Sequence, residues 1–91
     1  MVVKNGKTVT FIYRPEHPSC RDVALAGSFN DWKPDKCKMT RQKDGTYRKR
    51  ISLRPGEHRY KFVVDNQWIE DPQAERQTTN EFGTKDSVVV V

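Results

Sequence analysis

The 91-residue chain is 34% hydrophobic and 32% charged, enough apolar material for one thin core and a single domain spanning residues 1–91. Its longest apolar run, Val88 to Val91, is far too short to cross a membrane as a helix, so no membrane partner is expected. The net charge of +5 suits an anionic partner but is too modest to select one.

The opening residues, Met1 to Gly6, hold neither the apolar segment nor the cleavage site of a secretion signal, and the expectation is a cytoplasmic protein. Cys20 and Cys37 are then expected as free thiols rather than a disulfide. Neither has a local His or Cys beside it, as a structural zinc site would need. No cofactor is expected.

Asn5-Gly6 is a two-residue hairpin signal, and Thr8 to Tyr13 follows with Val9, Phe11 and Tyr13 on one face. Arg14 to Arg21 reads as a proline-containing loop. Val23 and Leu25 share a face, and Phe29 extends their phase into Gly27-Ser28-Phe29-Asn30-Asp31-Trp32. Asp44-Gly45 is a second two-residue hairpin signal. Tyr47, Ile51 and Leu53 then lie in one phase, with Arg48, Arg50 and Ser52 opposite. Pro55-Gly56 suits a type II turn. From His58 to Val64 the inward set is Tyr60, Phe62 and Val64, leaving Lys61 on the other face. Asp65-Asn66 is a plausible hairpin turn before Trp68-Ile69.

Glu70 to Asp86 is long, polar and non-periodic, with Phe82 as its one large apolar residue, and the terminal valines read as a last strand. No stretch sustains a 3.6-residue period, and five prolines interrupt any candidate helix. Short strands at this spacing predict an all-β, antiparallel sandwich.

Catalysis finds little support. His17 and His58 lie in no nucleophile or metal motif. Asp31, Asp35, Asp65, Glu70 and Asp71 fall in turns, where solvated carboxylates are the ordinary outcome. The segment from Arg41 to Arg50 carries Arg41, Lys43, Arg48, Lys49 and Arg50 against Asp44 alone, which could meet phosphates. Arg48 and Arg50 lie on the outward strand face, however, where a solvated charged surface is usual, and nucleic acid is the weaker alternative.

Trp32 and Trp68 follow polar turn residues instead of sitting in apolar runs, so each ring can be presented rather than buried. A pyranose offers a patch of C–H groups to such a ring, while its hydroxyls need polar partners at the rim. Asn30, Asp31 and Lys33 flank Trp32, and Asn66 and Gln67 precede Trp68. This framing favours saccharide over base.

The segments Gly27 to Trp32, Pro55 to Trp68, Asp71-Pro72 and Phe82-Gly83-Thr84, in this order, resemble the glycogen-binding module of the AMP-activated protein kinase β subunit. They are also similar to the starch-binding modules that precede isoamylase and branching-enzyme catalytic domains, carbohydrate-binding module family 48. The resemblance runs from about Thr8 to Val91.

It implies an immunoglobulin-like β-sandwich, not an enzyme, that binds α-1,4-linked glucans such as glycogen, starch or maltooligosaccharides beside a kinase or glucan-active partner. By the same resemblance Trp32 and Trp68 are stacking platforms, Lys61 bonds sugar hydroxyls, Thr84 contributes polar contact, and Phe82 projects into the curve of the glucan. Phe82 stands where the family has Leu, and Asp86 stands where it has a sugar-bonding Asn. An ionised Asp86 accepts but cannot donate. A domain of this fold that has moved to protein docking is the alternative.

Overall fold

In a computed structural model, which describes residues 1–15 and 22–91, the alternating runs pair into two antiparallel sheets. The strands are β1 (Val2–Asn5), β2 (Thr8–Tyr13), β3 (Val23–Gly27), β4 (Thr40–Arg41), β5 (Tyr47–Ser52), β6 (Glu57–Val64), β7 (Gln67–Ile69), β8 (Arg76–Thr79) and β9 (Lys85–Val90). One sheet has the order β1-β2-β5-β4 and the other β3-β6-β9-β8, with β7 added to β6. The result is the expected immunoglobulin-like sandwich. The loop with His17 and Cys20 lies outside the described residues, whereas Cys37 is a buried free thiol.

The expected inward residues meet between the sheets. Val9, Phe11, Leu25, Tyr60, Phe62 and Val89 are buried in one core. Phe11 of one sheet meets the edge of Tyr60 of the other at a centroid distance of 4.9 Å, and Tyr13 reaches Phe62 at 5.2 Å. Such offset and edge-on pairs let large rings fill a thin core without voids.

β3 departs from simple alternation because all five of its residues are buried. Val23 and Leu25 face the core, while Ala24 and Ala26 join Val63 of β6 in a small apolar cluster on the outer face. The edge of β3 is closed by residues 37–39, where Leu25 donates to the Cys37 carbonyl and Met39 to that of Val23, both at 2.9 Å. Closing it removes a row of free backbone groups that would invite strand addition.

Two hairpins differ from expectation in detail. The first turn is Gly6-Lys7, with positive φ at Gly6 alone, because Asn5 already pairs with Thr8. The second is a turn over Lys43-Asp44 closed by Gly45 to Gln42, after which Gly45 takes φ 86 as a bulge. Asp44 secures it by accepting from the Thr46 amide at 3.0 Å and the Thr46 hydroxyl at 2.6 Å. Gly56 has the expected positive φ, 129°, but forms a bend whose amide and carbonyl both pair with Val91.

The expected irregular segment from 70 to 86 contains an ordered strand, β8, paired with β9 from Arg76–Val88 to Thr79–Lys85. Arg76-Gln77-Thr78-Thr79 lacks apolar alternation because it is an exposed edge strand, held by backbone pairing rather than burial.

Candidate functional site

Each residue of Gly27-Ser28-Phe29-Asn30-Asp31-Trp32 has a part in delivering the indole. A Cβ on Gly27 would lie 2.5 Å from the Arg59 carbonyl oxygen and 2.5 Å from the Phe29 ring, so no other residue fits there. Ser28 ties the turn to β6, its amide donating to Arg59 O at 2.9 Å and its hydroxyl accepting from Arg59 N at 3.2 Å. Phe29 anchors the turn in the core, 5.7 Å from Phe11.

Asn30 bridges back, accepting from the Gly27 amide and donating to the Leu25 carbonyl, both at 3.0 Å. Asp31 and Trp32 then adopt φ 57° and 58°, left-handed values that cost a non-glycine residue about 1–2 kcal/mol. The chain reverses, Trp32 N–H returns to Gly27 O at 3.0 Å, and the indole is laid over Ala24, Ala26 and Val63.

Trp68 arrives by a different route. Asp65 and Asn66 take φ 48° and 69°, the paired left-handed values of a tight hairpin, and β7 folds back along β6 with Trp68 opposite Val63. Trp68 is therefore on the same outer face as Val63 and Trp32. The two indoles lie 6.5 Å apart between centroids and are inclined by 38°. Trp32 is half-buried, while Trp68 remains 49% exposed.

Lys61 leaves β6 on this outer face, as its phase requires, and pairs across with Ala26. Its ammonium donates to Thr84 Oγ1 at 3.0 Å and lies 3.7 Å from Asp86. Asp86 is buried beneath this pair and also accepts from Asn80 Nδ2 at 3.0 Å. Phe82 stands at the tip of the β8–β9 loop, 83% exposed. Trp32, Lys61, Trp68, Phe82, Thr84 and Asp86 thus line one open groove of about 750 Å³. Ser28, Arg59, Asn80 and Glu81 complete its wall. Asn80 and Glu81 precede Phe82 with no motif of their own, and only the folded loop reveals them.

Other sequence candidates have structural roles. Asp71 is not a solvated turn residue: it is 1% exposed and accepts from Tyr60 Oη at 2.7 Å, the Gln73 amide at 2.9 Å and the Met1 amino group. Burial first, and then the bond to Asp71, push the Tyr60 phenol well above its ordinary value. His58 meets the Arg54 carbonyl at 2.7 Å and the Phe29 ring at 6.4 Å. Among the described residues no group of three His, Cys, Asp or Glu could hold a metal, and no helix is long and apolar enough to cross a membrane.

The basic hairpin of β4 and β5 belongs to the sheet opposite the tryptophans. Arg48 is moreover held along its own hairpin, 3.6 Å from Asp44.

Comparison with known proteins adds the family. The β-1 subunit of 5′-AMP-activated protein kinase from Sus scrofa is 39% identical over 71 residues, 78% of this chain and 55% of that sequence. Its Bos taurus and Homo sapiens counterparts are 41% and 39% identical over the same share of this chain and 25% of theirs. The chain therefore spans about half of the first relative and a quarter of the others. Among solved structures, a maltogenic amylase from S. marinus superposes with a TM-score of 0.74 over 92% of this chain and 13% of its own, a likeness of fold at 23% identity. Residues 8–91 match the family described as the glycogen recognition site of AMP-activated protein kinase, and the chain belongs to that family.

Proposed function

We propose that this domain binds α-1,4-linked glucans on the open groove, without catalysis, and that Trp32, Trp68, Phe82, Lys61, Thr84 and Asp86 form the site. The observation that carries this reading is the tryptophan pair, two rings 6.5 Å apart and inclined by 38° on one face. Coplanar rings suit a flat sugar ribbon. Inclined rings suit successive glucose units of a chain that curves, as α-1,4 linkage makes it do.

The apolar faces of the glucose rings lie on the indoles, and hydroxyls at the rim meet Lys61 and Thr84. Water is displaced from the ring faces, which supplies the favourable term. The ligand loses torsional freedom, and an open groove buries little area, so dissociation constants on the order of 10 μM to 1 mM follow. The absence of catalysis is supported by the site's composition: its acids are Asp86, engaged with Lys61 and Asn80, and Glu81. With Asp86 so engaged, the groove offers one uncommitted carboxylate where a glycosidase needs a working pair.

Because its relatives are named as subunits of 5′-AMP-activated protein kinase, a kinase partner is part of this reading. A cytoplasmic location belongs to it too, where the buried Cys37 thiol would stay reduced. Titrating maltoheptaose against tryptophan fluorescence and amide shifts tests the proposal. Saturable quenching with shifts at Trp32, Lys61 and Trp68 is expected. A folded protein that gives no response at millimolar sugar overturns it and leaves protein docking as the reading.

A further inference from the structure

Asn80, in the wall of the groove, binds three residues of the β8–β9 loop region through its side chain alone. Its Oδ1 accepts from the amides of Phe82 at 3.0 Å and Thr84 at 3.1 Å. Its Nδ2 donates to Thr84 Oγ1 at 2.7 Å and to Asp86 Oδ1 at 3.0 Å. The backbone closes the same turn, with Asn80 N donating to Thr84 O at 2.8 Å and Gly83 N to Asn80 O at 3.1 Å. One amide side chain therefore holds residues at its second, fourth and sixth following positions.

We propose that Asn80 is the positioning residue of the glucan site: it fixes Phe82 in its projecting place and sets Thr84 as a hydrogen-bond donor toward the sugar. The first half follows from the loop. Phe82 is 83% exposed and nothing in the core holds it, so the bond to its amide and the turn around it decide where the ring stands. A loop ordered before binding need not be ordered by the sugar, and affinity rises accordingly.

The second half follows from counting donors and acceptors. The Thr84 oxygen accepts from Lys61 Nζ and from Asn80 Nδ2. A hydroxyl has two lone pairs and one proton, so both lone pairs are occupied and only the O–H is left to offer. Asp86 completes the arrangement from below. As a carboxylate it accepts only, and its neighbours Lys61 and Asn80 both donate. Asp86 Oδ1 thus anchors the two donors that set Thr84.

Neither aspartate nor serine does all this. Aspartate would keep the two amide bonds but face Asp86 with a like charge, and serine has too few groups.

This proposal rests on the glucan reading, so its test has one arm that needs no sugar. Asn80→Ala is compared with the unaltered 91-residue chain by amide hydrogen exchange. Faster exchange confined to Phe82, Gly83 and Thr84, with the rest of the domain unchanged, is expected. Unchanged exchange there overturns the positioning role, whether or not glucan binds. In the second arm, maltoheptaose affinity is measured for Asn80→Ala, Phe82→Ala and both together. Asn80→Ala should weaken binding about tenfold alone, but clearly less in the Phe82→Ala background, because part of its effect passes through Phe82. Equal losses in both backgrounds would overturn it. Thr84→Ser should bind like the parent and Thr84→Val should not; equal binding by both would remove the donor role. A chain that binds no sugar while its loop loosens on Asn80→Ala would refute the glucan reading and leave the positioning role standing.

Discussion

At the scale of single residues, the site depends on positions that touch no ligand. Gly27 is the clearest. A methyl group there would meet backbone, the Arg59 carbonyl, as well as the Phe29 ring. Gly27→Ala should cost about 1–3 kcal/mol or more and lower the urea midpoint. An unchanged midpoint would mean that the turn shifts to make room. The two tryptophans should separate in the same assay. Trp68→Ala removes a ring that is 49% exposed, so stability should change by about 1 kcal/mol or less. Trp32→Ala uncovers Ala24, Ala26 and Val63 and should cost more, with no relief of the left-handed backbone, because alanine keeps its Cβ. Both should weaken glucan binding by tenfold or more, about 1.4 kcal/mol each. Equal stability of the two variants would contradict the half-buried placement of Trp32.

At the scale of elements, presentation of Trp68 depends on a two-residue turn. Asp65 is fixed by reciprocal bonds with Asp22, each 2.8 Å, while Asn66 carries the larger positive φ, 69°. Asn66→Ala should destabilise by about 1 kcal/mol and Asn66→Gly should not, since only the former has a Cβ and no side chain suited to that region. Thermal melts of both variants check this, and a reversed order would show that the turn is held otherwise. The hairpin was legible in the sequence because turn chemistry is local. β8 was not: its four residues show no alternation, and their order comes from pairing with β9. The turn from Gly27 to Trp32 was half legible. Its polar residues announced a reversal, but the outer cluster that Trp32 covers joins residues 24, 26 and 63 from two strands.

At the scale of the whole molecule, stability should be bounded on both sides of neutral pH. Bonds from the Thr46 hydroxyl and amide hold Asp44 below its ordinary 3.8. The Val90 amide, then Lys4, hold Glu75 below 4.5. A carboxyl whose folded value is depressed stabilises above its ordinary value and loses that contribution as pH falls through the folded value. Burial raises Cys37 above 9.0 and Tyr60 further still, so their neutral forms are favoured by folding, and stability is lost as pH rises past about 9. A melting temperature that is level from about pH 5 to 8.5 and falls on either side is expected. Glu75→Gln should flatten the acid limb, and an acid limb that stays as steep would assign it to other groups.

The sequence by itself determined the fold class, because period-two alternation and turn residues act over a few neighbours and leave an antiparallel sandwich as the way to bury Phe11, Leu25, Tyr60 and Phe62 together. Its ordered motifs also carried the family and the six candidate site residues. Only the tertiary structure decided that Trp32 and Trp68 share a face at 38°, that Asp71 is buried against Tyr60, and that Asn80 ties Phe82, Thr84 and Asp86 into one network. The physical reason is that stacking angle, burial and hydrogen-bond polarity belong to groups brought together by strand pairing and sheet packing, and no local pattern along the chain encodes them.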